Sequence, residues 1–260
     1  MSIHFGPAGL GGIKDAEANI RKYAELGFKA CEIAFTYGIY IKDEENANRI
    51  GKIAKECGIQ LSIHAPYWIN LNSEDSEKIA KSKERILECC KVGTELGASR
   101  VVFHPGFYGK NKESAYENIK NQILELQKEI KERGYTPKLA PETMGKINVF
   151  GSVNEIMQLV EETGCDLCVD FAHVLAREKN YNFKEVFERL KKFNGIHLHF
   201  SGIEYGTKGE KNHKLTTEKE WEMLLEALPR NKEIFIINES PFPVQDSLSG
   251  LTIYRRYFQN

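Results

Sequence analysis

The feature that most constrains this chain is a punctuation repeated along its whole length: a short strand-forming run, a longer helical stretch, then a glycine. Asp15–Leu26 stops at Gly27, Glu44–Cys57 at Gly58, Asp75–Leu96 at Gly97, Ser114–Arg133 at Gly134 and Val153–Thr163 at Gly164. Glycine ends helices because it accepts the left-handed backbone that closes the last turn. Phe183–Lys192, Glu218–Leu228 and a weaker helix near Asp246–Phe258 continue the series. The candidate strands are Ile3–Gly6, Ala30–Phe35, Leu61–His64, Arg100–His104, Lys138–Glu142, Leu167–Asp170, Gly195–His199 and Ile234–Glu239. Runs such as Val101-Val102-Phe103 and Ile234-Phe235-Ile236-Ile237 are apolar without alternation. That pattern suits parallel strands covered on both faces.

Eight such units in 260 residues predict an α/β fold, a single (β/α)₈ TIM barrel over residues 1–260 with a metal cluster at the C-terminal strand ends. Such barrels typically need about 250 residues. A doubly wound open sheet is the alternative, but no G-x-G-x-x-G follows the first strand. No Pro/Ser-rich linker or low-complexity tract interrupts the series. The balance of 36 basic and 37 acidic residues excludes a strongly basic nucleic-acid binder by total charge, though not a local patch. No stretch reaches the roughly 18 apolar residues of a membrane span, so no membrane partner is expected. The opening Met1-Ser2-Ile3-His4-Phe5-Gly6 does not read as a signal peptide, which predicts a cytoplasmic protein. The six cysteines are accordingly expected to be reduced. Cys165-x-x-Cys168 lacks a second pair and reads as buried thiols beside a strand.

Barrel chemistry sits at the C-terminal ends of the strands. Six consecutive candidate strands end in metal-capable side chains: His64, His104, Glu142, Asp170 with His173 beyond it, the pair His197 and His199, and Glu239. His213 lies in the long loop after strand seven, and six of the seven histidines fall in this set. Any one of them alone is more often a hydrogen-bonded structural residue. Ring closure changes this, because it crowds them into one mouth. Three carboxylates so close repel one another unless cations lie among them. Imidazole and carboxylate together suit Zn²⁺, with Mn²⁺ or Fe²⁺ as alternatives. The surplus over the four ligands of one zinc site predicts two or three ions with a bridging carboxylate. His197 and His199 are two apart and share a strand face, and His199 is read as an accessory or substrate-facing group. His4 reads as a core or bottom-face histidine. Glu32 points into the barrel and has no assigned role.

These residues resemble the endonuclease IV family of apurinic/apyrimidinic endonucleases. The resemblance runs through Ile63-His64-Ala65-Pro66-Tyr67-Trp68-Ile69-Asn70-Leu71, Phe103-His104-Pro105-Gly106, Pro141-Glu142-Thr143, Val169-Asp170-Phe171-Ala172-His173, Gly195-Ile196-His197-Leu198 and Asn238-Glu239, in family order across nearly the whole chain. It implies a zinc-dependent TIM barrel of base excision repair that hydrolyses double-stranded DNA on the 5′ side of an abasic site. By motif, His64, His104 and Glu142 would hold the first metal. Glu142, Asp170, His197 and Glu239 would hold the second, and His173 and His213 the third. Glu142 would bridge, and as the catalytic residue would orient the attacking water. Tyr67 and Trp68 match positions that enter the DNA. The protein is expected to act as a monomer.

Two departures stand out. Lys211 occupies the position of the family's third-site Asp, and Glu210 reaches that site only if the loop shifts by one residue. The loop Phe35-Thr36-Tyr37-Gly38-Ile39-Tyr40 lacks the arginine that the family commonly inserts into DNA. The loops 105–112, 143–151, 174–181 and 201–214 carry eight basic residues (Lys110, Lys112, Lys146, Arg177, Lys179, Lys208, Lys211, Lys214) against three acidic ones, which suits phosphate. Two other readings are open: a metal-dependent sugar isomerase or epimerase on the same barrel, usually with one metal, and a non-catalytic DNA- or metal-binding homologue.

Overall fold

The computed structural model describes residues 2–257. Its elements, in chain order, are β1 (Ser2–Pro7), α1 (Ala16–Leu26), β2 (Ala30–Ala34), α2 (Glu44–Glu56), β3 (Gln60–His64), α3 (Ser76–Leu96), β4 (Arg100–Phe103), α4 (Lys112–Glu132), β5 (Lys138–Pro141) and α5 (Val153–Thr163). There follow β6 (Val169–Asp170), α6 (Phe171–Glu178), α7 (Phe183–Arg189), β7 (Gly195–His199), β8 (Gly202–Gly206), β9 (Gly209–Lys214), α8 (Glu218–Ala227), β10 (Glu233–Asn238) and α9 (Pro243–Tyr257). The last residue of the expected terminal helix, Phe258, lies outside the described residues.

Eight strands run parallel in the order β1-β2-β3-β4-β5-β6-β7-β10 and close on β1, forming a (β/α)₈ barrel. Two seams are narrower than the rest, each held by a single bridge: Ala8 to Glu32, and Glu142 to Cys168. The first seam needs a glycine, because a Cβ on Gly6 would lie 1.8 Å from the carbonyl oxygen of Ala30. The outer core lies between strands and helices, where Phe5, Ile33, Leu61, Val101, Leu139, Leu198 and Ile236 meet helix residues such as Ile20, Ile50, Ile86, Ile119 and Trp221. Among the described residues, two small apolar clusters fill the barrel interior: Ala30 with Phe235 and Ile237, and Val102 with Ala140 and Cys168. Typical barrels layer their interior with branched aliphatic residues. Here much of that volume is polar.

The sequence signals act locally as read. Ser152 and Thr217 form reciprocal capping boxes with Glu155 and Glu220. Gly27, Gly97 and Gly164 are left-handed C-caps. Two segments expected to be loops are ordered elements. Residues 174–181 mostly belong to α6, whose N-cap is Asp170. Residues 201–214 form the antiparallel hairpin of β8 and β9. No helix among the described residues is long and apolar enough to cross a membrane. All six cysteines are free, and Cys165 and Cys168 are buried.

Candidate metal centre

The centre is built from parallel register. Side chains alternate along a strand, so the residues that end β3, β4, β5, β6, β7 and β10 on the inner face converge over one mouth. Glu142, fully buried, is the hub. Its Oε2 lies 3.2 Å from Nε2 of His64 and 3.0 Å from Nε2 of His104. Its Oε1 lies 3.1 Å from Nδ1 of His199 and 3.4 Å from Nδ1 of His173. Glu239 reaches the same His199 nitrogen at 3.3 Å. The spacing of Asp170 and His173 is that of a helix cap: Asp170 Oδ1 accepts from the His173 backbone N–H at 3.0 Å. This places the His173 ring on the mouth, with Nδ1 2.9 Å from the Thr143 carbonyl. Asn238 pins the end of β10 by donating to the Phe200 carbonyl and to Asp246, so that Glu239 faces inward.

The potential ligand atoms fall into groups within 4.8 Å of one another: His64 with His104 and Glu142; Glu142 with Asp170, His199 and Glu239; Asp170 with His173 and His213; and, deeper in the barrel, Cys168 with His197 and His199. The first group unites the residues expected of it. The second departs from expectation: His199, not His197, joins Glu142, Asp170 and Glu239. The reason is strand geometry. His197 is two residues earlier, one layer deeper, and its Nε2 lies 3.1 Å from Oε2 of Glu32. Next to the third group Glu210 stands beside His173, Oε2 to Nε2 3.2 Å. The hairpin register explains this. Tyr205 pairs with Glu210 and Glu204 with Asn212, so Lys211 is the extra residue of a bulge. The one-residue shift turns Glu210 inward. Its carboxylate accepts from Gly145 N at 3.0 Å. Gly145 and Gly209 let the hairpin approach, since a Cβ on Gly209 would meet the Gly145 carbonyl at 2.1 Å. His213 faces Ser201, Nδ1 to Oγ 2.6 Å. His4 lies apart at the other end of the barrel, 3.3 Å from Glu233 and stacked on Phe235.

The electrostatics follow from this crowding. Burial pushes the Glu142 carboxyl up, but hydrogen bonds from His104, His173 and His199 more than reverse this and hold it well below the usual range. Burial likewise opposes, and His199 overcomes, so that Glu239 falls to about 2. The Asp170 carboxyl is raised, first by burial, with Glu142 and Glu239 adding repulsion against the pull of His173 and His213. The histidines respond in kind. Burial disfavours a charged His64, yet Glu142 carries it up to about 9. Against burial, His173 is driven well above the ordinary value by Asp170, Glu210 and Glu142, and His199 by the neighbouring Cys168 and then by Glu239 and Glu32. His197 goes the other way, to about 4, through burial and the nearby Arg100. Imidazoles and carboxylates in the cluster therefore stabilise each other's charged forms. Asp170 Oδ2 is buried with no hydrogen-bond partner. An unsatisfied buried carboxylate oxygen amid imidazole and carboxylate donors fits divalent transition metals such as Zn²⁺ or Mn²⁺.

A cavity of about 650 Å³ opens over the centre, lined by Tyr67, His104, Lys146, His173, His213 and Glu239 among others. Tyr67 stacks on His104 with ring centroids 5.3 Å apart. Trp68, 62 % exposed, stands on the rim with the exposed Tyr37, Phe107 and Phe242 on neighbouring strand-to-helix loops. The basic rim is thinner than the sequence suggested. Arg177 donates to the carbonyls of Met144, Lys146 and Val149, and Lys179 donates to those of Ala176 and Gly206. Both serve the loop architecture.

Fold and site together define a (β/α)₈ barrel with a histidine–carboxylate centre at its strand ends. The chain belongs to the apurinic/apyrimidinic endonuclease family 2, the xylose isomerase-like TIM barrels, whose model matches residues 20–255. An uncharacterized protein of Methanocaldococcus jannaschii is 35% identical over 228 residues, covering 82% of this chain and 81% of its own. A probable endonuclease 4 of Aquifex aeolicus is 31% identical over 158 residues, 58% of this chain; the match spans 55% of that relative's length, little more than half. Among solved structures, SacUVDE superposes with a TM-score of 0.77 at 16% identity, covering 98% of both chains. Endonuclease IV from Thermus thermophilus gives 0.73 at 21%, covering 100% of this chain and 99% of its own. A D-psicose 3-epimerase gives 0.72 at 17%, covering 100% of both. At these identities the structural likeness speaks for the fold alone.

Proposed function

We propose that this chain is a metal-dependent DNA repair endonuclease that hydrolyses the phosphodiester 5′ to an abasic site, leaving a 3′-hydroxyl and a 5′-deoxyribose phosphate. The observation that carries the reading is the sharing of Glu142 and Asp170 between three adjoining ligand groups, which makes room for more than one cation. His64, His104 and Glu142 would hold the first, Glu142, Asp170, His199 and Glu239 the second, and His173, His213 and Glu210, with Asp170, the third. Divalent cations so placed lower the pKa of water and neutralise charge on both the attacking and leaving oxygens of a phosphodiester. Zn²⁺ is the first choice and Mn²⁺ the second.

The protein's own residues supply the rest. Glu142 reaches four imidazoles at once, which suits it to orient the attacking water. Tyr67 is fixed on His104 at the edge of the cavity, its phenol raised to about 12 by burial and by Glu239 and Glu142, so it stays a neutral donor. A nucleotide must leave the helical stack to reach so recessed a mouth, which costs least where the base is missing. Trp68 and Tyr37 offer aromatic faces to the bases left behind.

The four-ligand group alone would serve a sugar epimerase with a single metal, and the barrel likeness extends to such an enzyme. Incision of a duplex carrying one abasic-site analogue, by metal-loaded protein with and without chelator, separates the two readings. A metal-dependent nick supports the nuclease. One tightly bound ion per chain, with no nick, favours the epimerase.

A further inference from the structure

Below the metal centre lies a buried carboxylate that the proposed reaction does not use. Glu32 sits on β2 inside the barrel and is fully buried. A charge in that position is costly unless donors surround it. Three do. Ser62 Oγ donates to Oε2 at 2.7 Å, and His197 Nε2 lies 3.1 Å from the same oxygen. His199 Nε2 lies 2.8 Å from Oε1, two buried atoms with no other hydrogen-bond partner, and His199 Nδ1 faces Glu142 and Glu239 on the other side. His199 is thus held between a carboxylate beneath it and the ligand group above.

We infer that Glu32 is the positioning residue that keeps the proton of His199 on Nε2, leaving Nδ1 free to bind the ion shared with Glu142, Asp170 and Glu239. An imidazole that ligates through one nitrogen carries its proton on the other, and the acceptor of that proton fixes both tautomer and ring orientation. Only a carboxylate fits the place. Two donors meet on Oε2 and the otherwise unpaired Nε2 of His199 faces Oε1, whereas a glutamine offers one acceptor oxygen and an amide that donates. The Ala8–Glu32 bridge and the hydrogen bond from Gly9 N to the Glu32 carbonyl, 2.8 Å, fix the strand that carries it. His197 and Ser62 fill the second oxygen, which orients the carboxylate toward His199. The role rests on the metal reading of the centre and holds whether the substrate is a phosphodiester or a sugar.

The test uses the full-length protein with Zn²⁺ alone as probe. In zinc-loaded wild-type protein labelled with ¹⁵N-histidine, long-range ¹⁵N–¹H correlation is expected to show His199 protonated at Nε2 and not at Nδ1. Glu32→Gln is expected to weaken zinc binding at the four-ligand group about 10- to 100-fold by calorimetry, while the His64–His104 group binds as before. Ser62→Ala, which leaves the Oε1 contact in place, is expected to bind zinc like wild type. A proton on Nδ1 of His199 in the loaded wild type overturns the inference, and this readout needs no variant to fold. So does a Glu32→Gln protein with unchanged affinity and stoichiometry. Wild-type protein that takes up no zinc overturns the metal centre together with it, whereas normal uptake without strand cleavage overturns only the nuclease reading.

Discussion

Glu210 Oε2 faces His173 Nε2 at 3.2 Å, while Lys211 beside it falls at the bulge of the hairpin. A carboxylate thus reaches the place where the linear sequence offers a lysine. Losing an outer partner of a ligand costs about 10- to 100-fold in metal affinity, and losing a ligand costs at least as much. Glu210→Ala is therefore expected to remove one ion per chain, or to weaken its binding by about 100-fold or more. Lys211→Ala is expected to leave metal content unchanged. Elemental analysis of both dialysed variants decides it. Equal loss in both would mean that the bulge does not select the ligand.

The rim makes a second prediction. Trp68 is 62 % exposed beside a Tyr67 that is stacked on His104. Base–aromatic stacking contributes about 1–3 kcal/mol per base. Trp68→Ala is expected to weaken binding of an abasic duplex by that amount, with zinc content intact. Fluorescence anisotropy at fixed salt measures it. Unchanged affinity would place the DNA elsewhere on the protein.

Metal-free protein should respond to pH through its protonated imidazoles. Against burial, Glu142 raises the folded-state pKa of His64 from 6.5 to about 9. The stability from that pairing is complete below pH 6.5 and is lost as pH rises through about 9. His173 and His199 shift the same way. The Tm of metal-free protein is expected to fall over this window, while zinc affinity rises because ions displace those protons. A melting temperature flat from pH 6.5 to 9 would contradict the pairing.

The barrel seam offers a test of the fold. A Cβ on Gly6 would stand 1.8 Å from the Ala30 carbonyl oxygen, and backbone on both sides leaves little room to yield. Gly6→Ala is expected to destabilise the protein by about 3 kcal/mol or to prevent folding. Urea titration measures the effect, and a change below about 0.5 kcal/mol would show the seam to be slack.

The barrel was legible because its signals are local: helix caps, glycine stops and apolar strands each reveal themselves within a few residues. His64, His104, Glu142, Asp170, His173 and Glu239 were legible for a related reason, since a strand end in such a barrel points to the mouth. What escaped depended on register. His197 and His199 share a face and differ only in depth, which the sequence does not number. Glu210 needed a bulge between two short strands, which no turn residue announces. Glu32 stood out as a charged residue in an apolar run, but its partners lie on β3 and β7, distant in sequence. Arg177 and Lys179 looked like surface charge because their carbonyl partners belong to other loops.

Incision is the direct test of the repair activity. Zinc-loaded protein is expected to nick a duplex containing one abasic-site analogue on its 5′ side, to stop when chelator is added, and to recover when zinc is restored. Glu142→Gln, which removes the hub carboxylate, is expected to reduce the rate by at least about 1,000-fold, in line with the loss of a transition-state-stabilising group. Fully loaded wild-type protein that leaves this duplex intact would contradict a role in abasic-site incision.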